Sequence, residues 1–587
     1  MTVDLLFKKV DYTVGKLLED IAIGEIGLPD IQRPFVWDTS RVRDLFDSMY
    51  RGYPIGTLLF WENGYPGEHR VIGVDGKQKV PRLLIVDGQQ RLTALYAVMK
   101  GVPIVGKDFR CRRLRIAFTP MEERFEVTNA AIERDPSWIP DISVLWRPEF
   151  DQYEFVSEYL GRLAEHRPLA SEDRKRIPKA IHRLVNLISY PLSALEISVS
   201  ATEEQVAEIF VRINSRGRTL NQADFILTLM SVFWDEGRRE LEEFCRRAQK
   251  PPADNRPSPY NPYFRPAPEQ LLRVSVALGF RRARLEHVYS ILRGKDLQTG
   301  EFSPERRDAQ FALLREAQAQ ALDLQHWHDF FKVIKRAGYV HPSLISSQMA
   351  LVYTYALWLI GRRDFGLDHH TLRDLMARWF FMSSLTGRYT GESETRMERD
   401  LAMLRGCRRG EEFIRALEQE MAAVLTPDYW GVTLPNDLAT ASARNPGQLA
   451  YYAALCILDA SVLFSTMRVR DLLDPSSRAK RKALERHHLF PRGYLERRGI
   501  ADRREINQVA NYALVEWHDN IDIRDLPPAE YAPRYERNLD PEALRAMYHY
   551  HALPERWYEM EYRAFLEERR RLMAAVIREG FQRLSRR

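Results

Sequence analysis

The sequence predicts an α+β protein of several domains, and three observations carry that prediction: short helical and strand patterns alternate over about 1–240, a proline-rich break follows, and 269–425 has helical spacing almost throughout. In the first region Val42, Leu45, Phe46, Met49 and Tyr50 recur at i, i+3, i+4, i+7 and i+8, with Asp38, Thr39 and Ser40 as candidate caps and Gly52 as a stop. Ile55 to Trp61 reads as a strand. Leu83 to Val86 reads as a second, and Leu92, Leu95, Tyr96 and Met99 then mark a helix that Gly101 ends. Thr202 caps a further helix to Ile213, with Val206, Ile209 and Phe210 on one face. Lys250 to Pro268 carries seven prolines, which excludes regular helix and predicts a linker or extended arm. The expected division is 1–240, a linker at 241–268, a helical scaffold at 269–425, a break over Leu425 to Gly447, and a C-terminal domain at 440–587. That last domain is expected to hold a buried helix from Leu449 to Phe464 and an amphipathic helix from about Pro554 to Leu584.

Composition narrows the class. A hydrophobic share of 45% in 587 residues is that of a globular protein and excludes a disorder-dominated chain. The cysteines Cys111, Cys245, Cys407 and Cys456 form no CxxC or Cys/His ligand spacing, which points to a reducing, cytoplasmic setting and away from structural zinc. The start of the chain lacks a signal-peptide layout. The longest apolar run, Met349 to Ile360, falls short of the roughly 18 residues of a membrane span and reads as a buried helix.

Two segments carry chemistry. At the end of the strand Leu83 to Val86, Asp87, Gly88, Gln89, Gln90 and Arg91 open a helix, whose N-terminus offers unpaired N–H donors and partial positive charge. Gly88 permits close backbone approach, so a nucleotide phosphate is a natural occupant and Arg91 can fork onto it; the competing reading is a well-capped strand-to-helix turn. Further on, Ser477 to Arg504 holds ten Lys/Arg against three acids, a local excess above the net +6 of the whole chain. Such a patch suits phosphate backbones, although a solvated basic surface would look the same. Inside it lies the pair His487 and His488, followed by Asn511 in an apolar strand and by Asn520. A His pair ending a strand, with Asn residues at these intervals, is the strand-strand-helix pattern of one-metal nucleases. In that layout one His and the last residue hold a divalent ion, the other His deprotonates water, and the middle Asn orients the base.

Over about 480–535, including His487 to Leu495, Ile506 to Glu516 and the trailing Asn520 to Tyr531, the chain resembles the HNH (ββα-metal) nuclease domain of GmrSD-type and SspE-like modification-dependent restriction endonucleases. By that resemblance His487 is a metal ligand, His488 the general base, Asn511 the orienting residue and Asn520 the second ligand, with His518 as the alternative to Asn520. A divalent ion, expected to be Mg2+, is implied, as is DNA on Arg486, Arg492, Arg497 and Arg498. Three N-terminal segments, Ile31 to Trp37, Val86 to Thr93 and Phe210 to Leu220, resemble the signatures of the GmrS-type domain, whose core is ParB/sulfiredoxin-like. That resemblance implies NTP binding and hydrolysis and sensing of modified DNA. It assigns Gln32 and Arg33 to the face of a pocket, Asp87, Gly88, Gln89, Gln90 and Arg91 to its floor, and Arg212, Asn214 and Gly217 to its closure, with Asp87 and Arg91 catalytic.

In the middle region, Ser384 to Thr395 also resembles a recurring segment of these proteins. It reads either as a helix-breaking loop or as a phosphate contact through Arg388. The expectation is therefore an NTP-regulated, modification-sensing DNA endonuclease of anti-phage defence, forming a homo-oligomer if it cuts paired sites. The rivals are an NTPase with an inactive HNH domain and a nucleotide-switched ParB-like DNA-binding regulator.

Overall fold

A computed structural model describes residues 5–27, 35, 37–62, 82–105, 111–201, 205, 206, 209, 222–254, 256–295, 303–474, 485–516, 519 and 522–585. Its contacts divide the chain into two units, Met1–Asn221 with Thr228–Asp235, and Gln222–Leu227 with Glu236–Arg587.

The first unit is mixed α+β. Apolar strand patterns give β1 (Phe7–Thr13), β2 (Ile26–Gly27), β3 (Leu58–Glu62) and β4 (Leu83–Asp87); a later strand, Pro191–Ile197, completes a five-stranded sheet. Counting the minor strands Ile104–Val105, Cys111–Arg112, Ile116–Thr119 and Arg124–Val127 as β5 to β8, that strand is β9, and the sheet order is β1-β9-β3-β4-β2. Its pairings are mixed: β1 with β9 and β3 with β4 antiparallel, β9 with β3 and β4 with β2 parallel. Helices α1 (Val14–Ala22), α2 (Thr39–Tyr50) and α3 (Gln89–Met99) bury one stripe each. Leu17, Ile21, Phe46, Met49, Leu92 and Leu95 join Leu58, Phe60, Leu83 and Ile85 in one core, so the sheet face under these helices is apolar and the strand ends are left for polar groups. The spacing read for Asp38 to Arg51 and for Leu92 to Met99 corresponds to α2 and α3, with Gly52 and Gly101 both left-handed at their ends. Of the helix expected from Thr202 to Ile213, residues 205, 206 and 209 are helical and the rest lies outside the described residues.

The second unit is helical apart from one hairpin and isolated bridges among its described residues. Residues 256–267 form neither helix nor strand, and Tyr263 and Phe264 are buried, with Trp327 Nε1 donating to Pro259 O at 2.8 Å. The apolar run read as a buried helix is Gln348–Arg363, every residue from Ala350 to Gly361 being buried. Arg388 is buried and held by Asp400 and Glu420, so the Gly387 to Gly391 turn is a packed loop and its guanidinium is not offered to phosphate.

Several boundaries differ from expectation: the linker expected at 241–268 starts only after a helix, Asp235–Arg247, and the strand expected from Ile55 starts at Leu58. The helix expected over Leu449 to Phe464 ends at Ile457; Asp459 turns at φ +55°, and Leu463 N–H bonds Leu514 O at 3.0 Å, because a short apolar run serves equally as strand once a partner edge is present. The C-terminal helix starts at Tyr562, where Glu561 caps Arg563 N–H and Ala564 N–H, with a short 3-10 turn at Trp557–Glu559 before it. The break after Leu425 itself contains a π-turn, Tyr429–Thr433, and a helical turn, Leu434–Asp437. The hairpin pairs β10 (Glu485–His488) with β11 (Tyr512–Val515), setting His487 opposite Ala513 and His488 opposite Tyr512.

Candidate functional site

In the second unit, β10 ends in the two histidines, and strand alternation sends their side chains to opposite faces of the hairpin. His487 is buried, its ring edge-on to Tyr531 at 5.7 Å between centroids; Tyr531 in turn donates its hydroxyl to Leu489 O at 2.6 Å. His488 is half-buried, with its ring 4.4 Å from that of Tyr512. Its Nε2 lies 3.0 Å from Asn507 Oδ1, and the Tyr512 hydroxyl donates to the same oxygen at 3.0 Å. Burial pushes the His488 imidazole below the ordinary histidine value, and the neighbouring Arg492 charge acts the same way, while the Asn507 bond opposes both. A histidine so placed is neutral at neutral pH, which is the state a general base requires.

Asn511, expected in a strand, closes the 3-10 turn Val509–Asn511 just before β11, and its side chain bonds Phe490 and Ile506 rather than His488. Asn511 is fully buried: Oδ1 accepts from Phe490 N–H at 2.9 Å, and Nδ2 donates to Phe490 O at 3.1 Å and Ile506 O at 3.0 Å. Its amide thus ties the chain leaving His488 to the turn that carries Asn507. Asn511 orders the backbone, and Asn507 contacts the ring. Behind this turn, the C-terminal helix sends buried Arg569 to Ala510 O at 2.7 Å, Tyr512 O at 2.8 Å and His551 O, and Tyr562 OH to Glu505 O at 2.8 Å. Sequence reasoning missed Asn507, Tyr512 and Arg569. Asn507 had a signal, an amide one helical turn before Asn511 in the same motif. Arg569 had none, being one of three consecutive arginines.

Among the described residues no three His, Cys, Asp or Glu side chains form a metal-binding group. Of the metal residues named from sequence, His487 is described, and Asn520 and His518 lie outside the described residues. Arg492, Arg497 and Arg498 are exposed along the short helix Arg492–Arg497 and its end; Arg492 pairs with Glu496 at 2.7 Å, and Arg497 donates to Asp525 O at 2.7 Å. The Arg486 side chain and residues 475–484, with four further cations of the basic run, are outside the description.

In the first unit, β4 delivers Asp87 and the left-handed Gly88, φ +95°, opens α3. A side chain at Gly88 would run into the Leu58 Cδ2 methyl, and the left-handed φ already favours glycine there. Arg91 donates from Nη1 to Ile55 O and from Nη2 to Thr57 O, both at 2.8 Å, and pairs with Asp87 at 3.4 Å. Burial lowers its pKa and Asp87 opposes that. The guanidinium fork therefore faces the loop before β3, which Gly56 at φ +91° lets pass close by. Gln89 and Gln90 are half-buried on the first turn of α3. Gln32, Arg33, Arg212, Asn214 and Gly217 lie outside the described residues.

Residues 14–231 match the family model described as the N-terminal domain of GmrSD restriction endonucleases, a family for which DNA is the implied partner. A protein of Methanocaldococcus jannaschii, described as uncharacterized protein MJ0686, is 22% identical over 535 residues, covering 86% of this chain and 84% of its own length. That coverage carries the similarity well past the N-terminal domain. No helix among the described residues is long and apolar enough to cross a membrane.

Proposed function

From a chain that carries a GmrSD restriction endonuclease N-terminal domain, we propose an NTP-regulated DNA endonuclease of phage defence, its C-terminal hairpin an HNH-type cutting site and its N-terminal domain the sensor of modified DNA. The observation that carries the cutting role is His488 at the end of β10, neutral, half-buried and held by Asn507 beside an exposed arginine-bearing helix. In this reading His488 takes a proton from water, and the oxygen so released forms a new bond to phosphorus. The bond from phosphorus to the leaving sugar oxygen breaks, and that oxygen takes a proton from solvent. A divalent ion, held by His487 with Asn520 or His518, would supply charge neutralisation at the scissile phosphate.

The nucleotide role belongs to the turn at Gly88, where the α3 N-terminus can receive phosphate beside Asp87, Gln89 and Gln90; the family resemblance would add Gln32, Arg33, Arg212, Asn214 and Gly217 to that pocket. Arg91 then shapes the pocket by holding the loop before β3.

Plasmid nicking or cutting with Mg2+, measured on unmodified, methylated, glucosylated and phosphorothioated DNA with and without each NTP, tests the reading. Activity that depends on the metal and disappears in His488→Ala supports it. Activity unchanged in that variant, in preparations free of contaminating nuclease, removes His488 from the site. Nucleotide hydrolysis with no cleavage under any condition would leave an NTPase, and neither activity a DNA-binding regulator.

A further inference from the structure

The hydrogen bonds around Asn507 specify more than that His488 is held. An amide oxygen only accepts, and Asn507 Oδ1 has two neighbours at 3.0 Å, the Tyr512 hydroxyl and His488 Nε2. Tyr512 donates to it, so the ring nitrogen facing the same oxygen must also bring a proton. We propose that Asn507, braced by Tyr512, is the positioning residue that fixes His488 as the Nε2–H tautomer, leaving Nδ1 as the atom that takes the proton from water; this rests on the nuclease reading of the hairpin.

The arrangement is built, not incidental. Asn507 ends a helical turn, Arg503–Ile506, whose Ile506 carbonyl is gripped by Asn511, and whose Glu505 carbonyl takes the Tyr562 hydroxyl from the C-terminal helix. Tyr512 is anchored on the other side, its carbonyl accepting from buried Arg569. Asn507 and its brace Tyr512 therefore both sit on backbone held by buried side chains, and the Tyr512 ring packs against the imidazole. The oxygen also has a task after proton transfer. Once Nδ1 has gained its proton the ring is a cation, and a carbonyl dipole at Nε2–H stabilises that cation without changing partners. Asn507 touches neither DNA nor water in this role; it acts through the ring.

Two measurements on the full-length protein separate this inference from the reading beneath it. Solid-state 15N NMR of metal-free protein labelled at histidine, with His488 assigned by difference against His488→Gln, reports the tautomer without any need for activity. A protonated Nε2 with an unprotonated Nδ1 is expected, and loss of that single form in Asn507→Leu. The reverse tautomer in the wild type, or an unchanged spectrum in Asn507→Leu, overturns the proposal whether or not the protein cuts DNA. In cleavage assays Asn507→Leu should lower kcat about a hundredfold with KM nearly unchanged, Asn507→Asp, which keeps an acceptor oxygen, should recover most of it, and Tyr512→Phe should lose several-fold. A fall in Asn507→Asp as deep as in Asn507→Leu would mean the residue serves only the fold, and overturns the positioning role. Absence of cleavage in the wild type, with the expected tautomer present, would fall on the nuclease reading and on the assignment of Nδ1 as base, not on Asn507 as the group that sets the tautomer.

Discussion

At Asn511 a single amide satisfies Phe490 N–H, Phe490 O and Ile506 O in a fully buried setting. Removing it leaves those groups without water, at roughly 1–3 kcal/mol for each one left unpaired. Asn511→Ala should therefore lower stability by about 3 kcal/mol or more and lose cleavage because the hairpin is disordered. His488→Ala leaves no such orphan, since Asn507 Oδ1 keeps the Tyr512 hydroxyl as donor, and should keep its stability while losing a rate factor of about a hundred to ten thousand. Urea midpoints for the two variants check this contrast; equal midpoints would show that Asn511 is no more structural than His488. The same distinction applies in the N-terminal unit, where Arg91 is engaged by two backbone carbonyls as well as by Asp87.

Among elements, the C-terminal helix holds the backbone around the proposed cutting site. Buried Arg569 gives its guanidinium to the carbonyls of Ala510, Tyr512 and His551. Arg569→Leu should cost several kcal/mol, at roughly 1–3 for each carbonyl left bare, and abolish cleavage although the residue lies off the DNA face. A variant that unfolds at the wild-type denaturant concentration would contradict this. Beside it, His551 donates toward Ser461 O at 2.9 Å, and burial and the Arg569 charge hold its pKa down at about 4. In the unfolded chain the same ring titrates near its ordinary 6.5, so between those values the unfolded state binds the extra proton. Stability should thus be complete above about pH 6.5 and fall by about 3 kcal/mol on acidification to pH 4. Denaturation across that window should show the slope, and His551→Gln should flatten it. On the helix Arg492–Arg497 and just past it, Arg497 and Arg498 are exposed and suited to phosphate. Reversing both to Glu should weaken DNA binding on every sequence and reduce the log-log salt slope by about 2; an unchanged slope would place DNA elsewhere.

For the whole molecule, the proposed sensor and the proposed cutting site belong to different compact units of one chain. In the proposed reading an endonuclease without restraint would attack its own genome, so its control would require that nucleotide or marked DNA bind two states of the protein with different affinity. Equal affinity shifts nothing, and a near-complete switch needs a ratio of about ten thousand. Asp87→Ala and Arg91→Ala should abolish nucleotide hydrolysis and also alter DNA cleavage, although neither residue belongs to the hairpin. Cleavage rate measured against nucleotide concentration for the wild type and Arg91→Ala is the test. Two flat, superimposable lines would mean that the units work independently.

Periodicity within a segment determined much of this protein from sequence alone. The apolar stripe of α2, the buried run at 350–361 and the strand-to-glycine-to-helix turn at 83–99 were all legible, because each depends on neighbours a few residues away. Tertiary structure alone decided who satisfies whom. Arg91 finds its carbonyls 36 and 34 residues back, and Arg569 reaches Ala510 across 59. The run expected as a helix to Phe464 was divided at Asp459 by an edge offered by β11. Spacing fixes which face a side chain occupies, but a buried donor takes whichever acceptor folding brings within 3 Å, and that choice is written in the packing of distant segments.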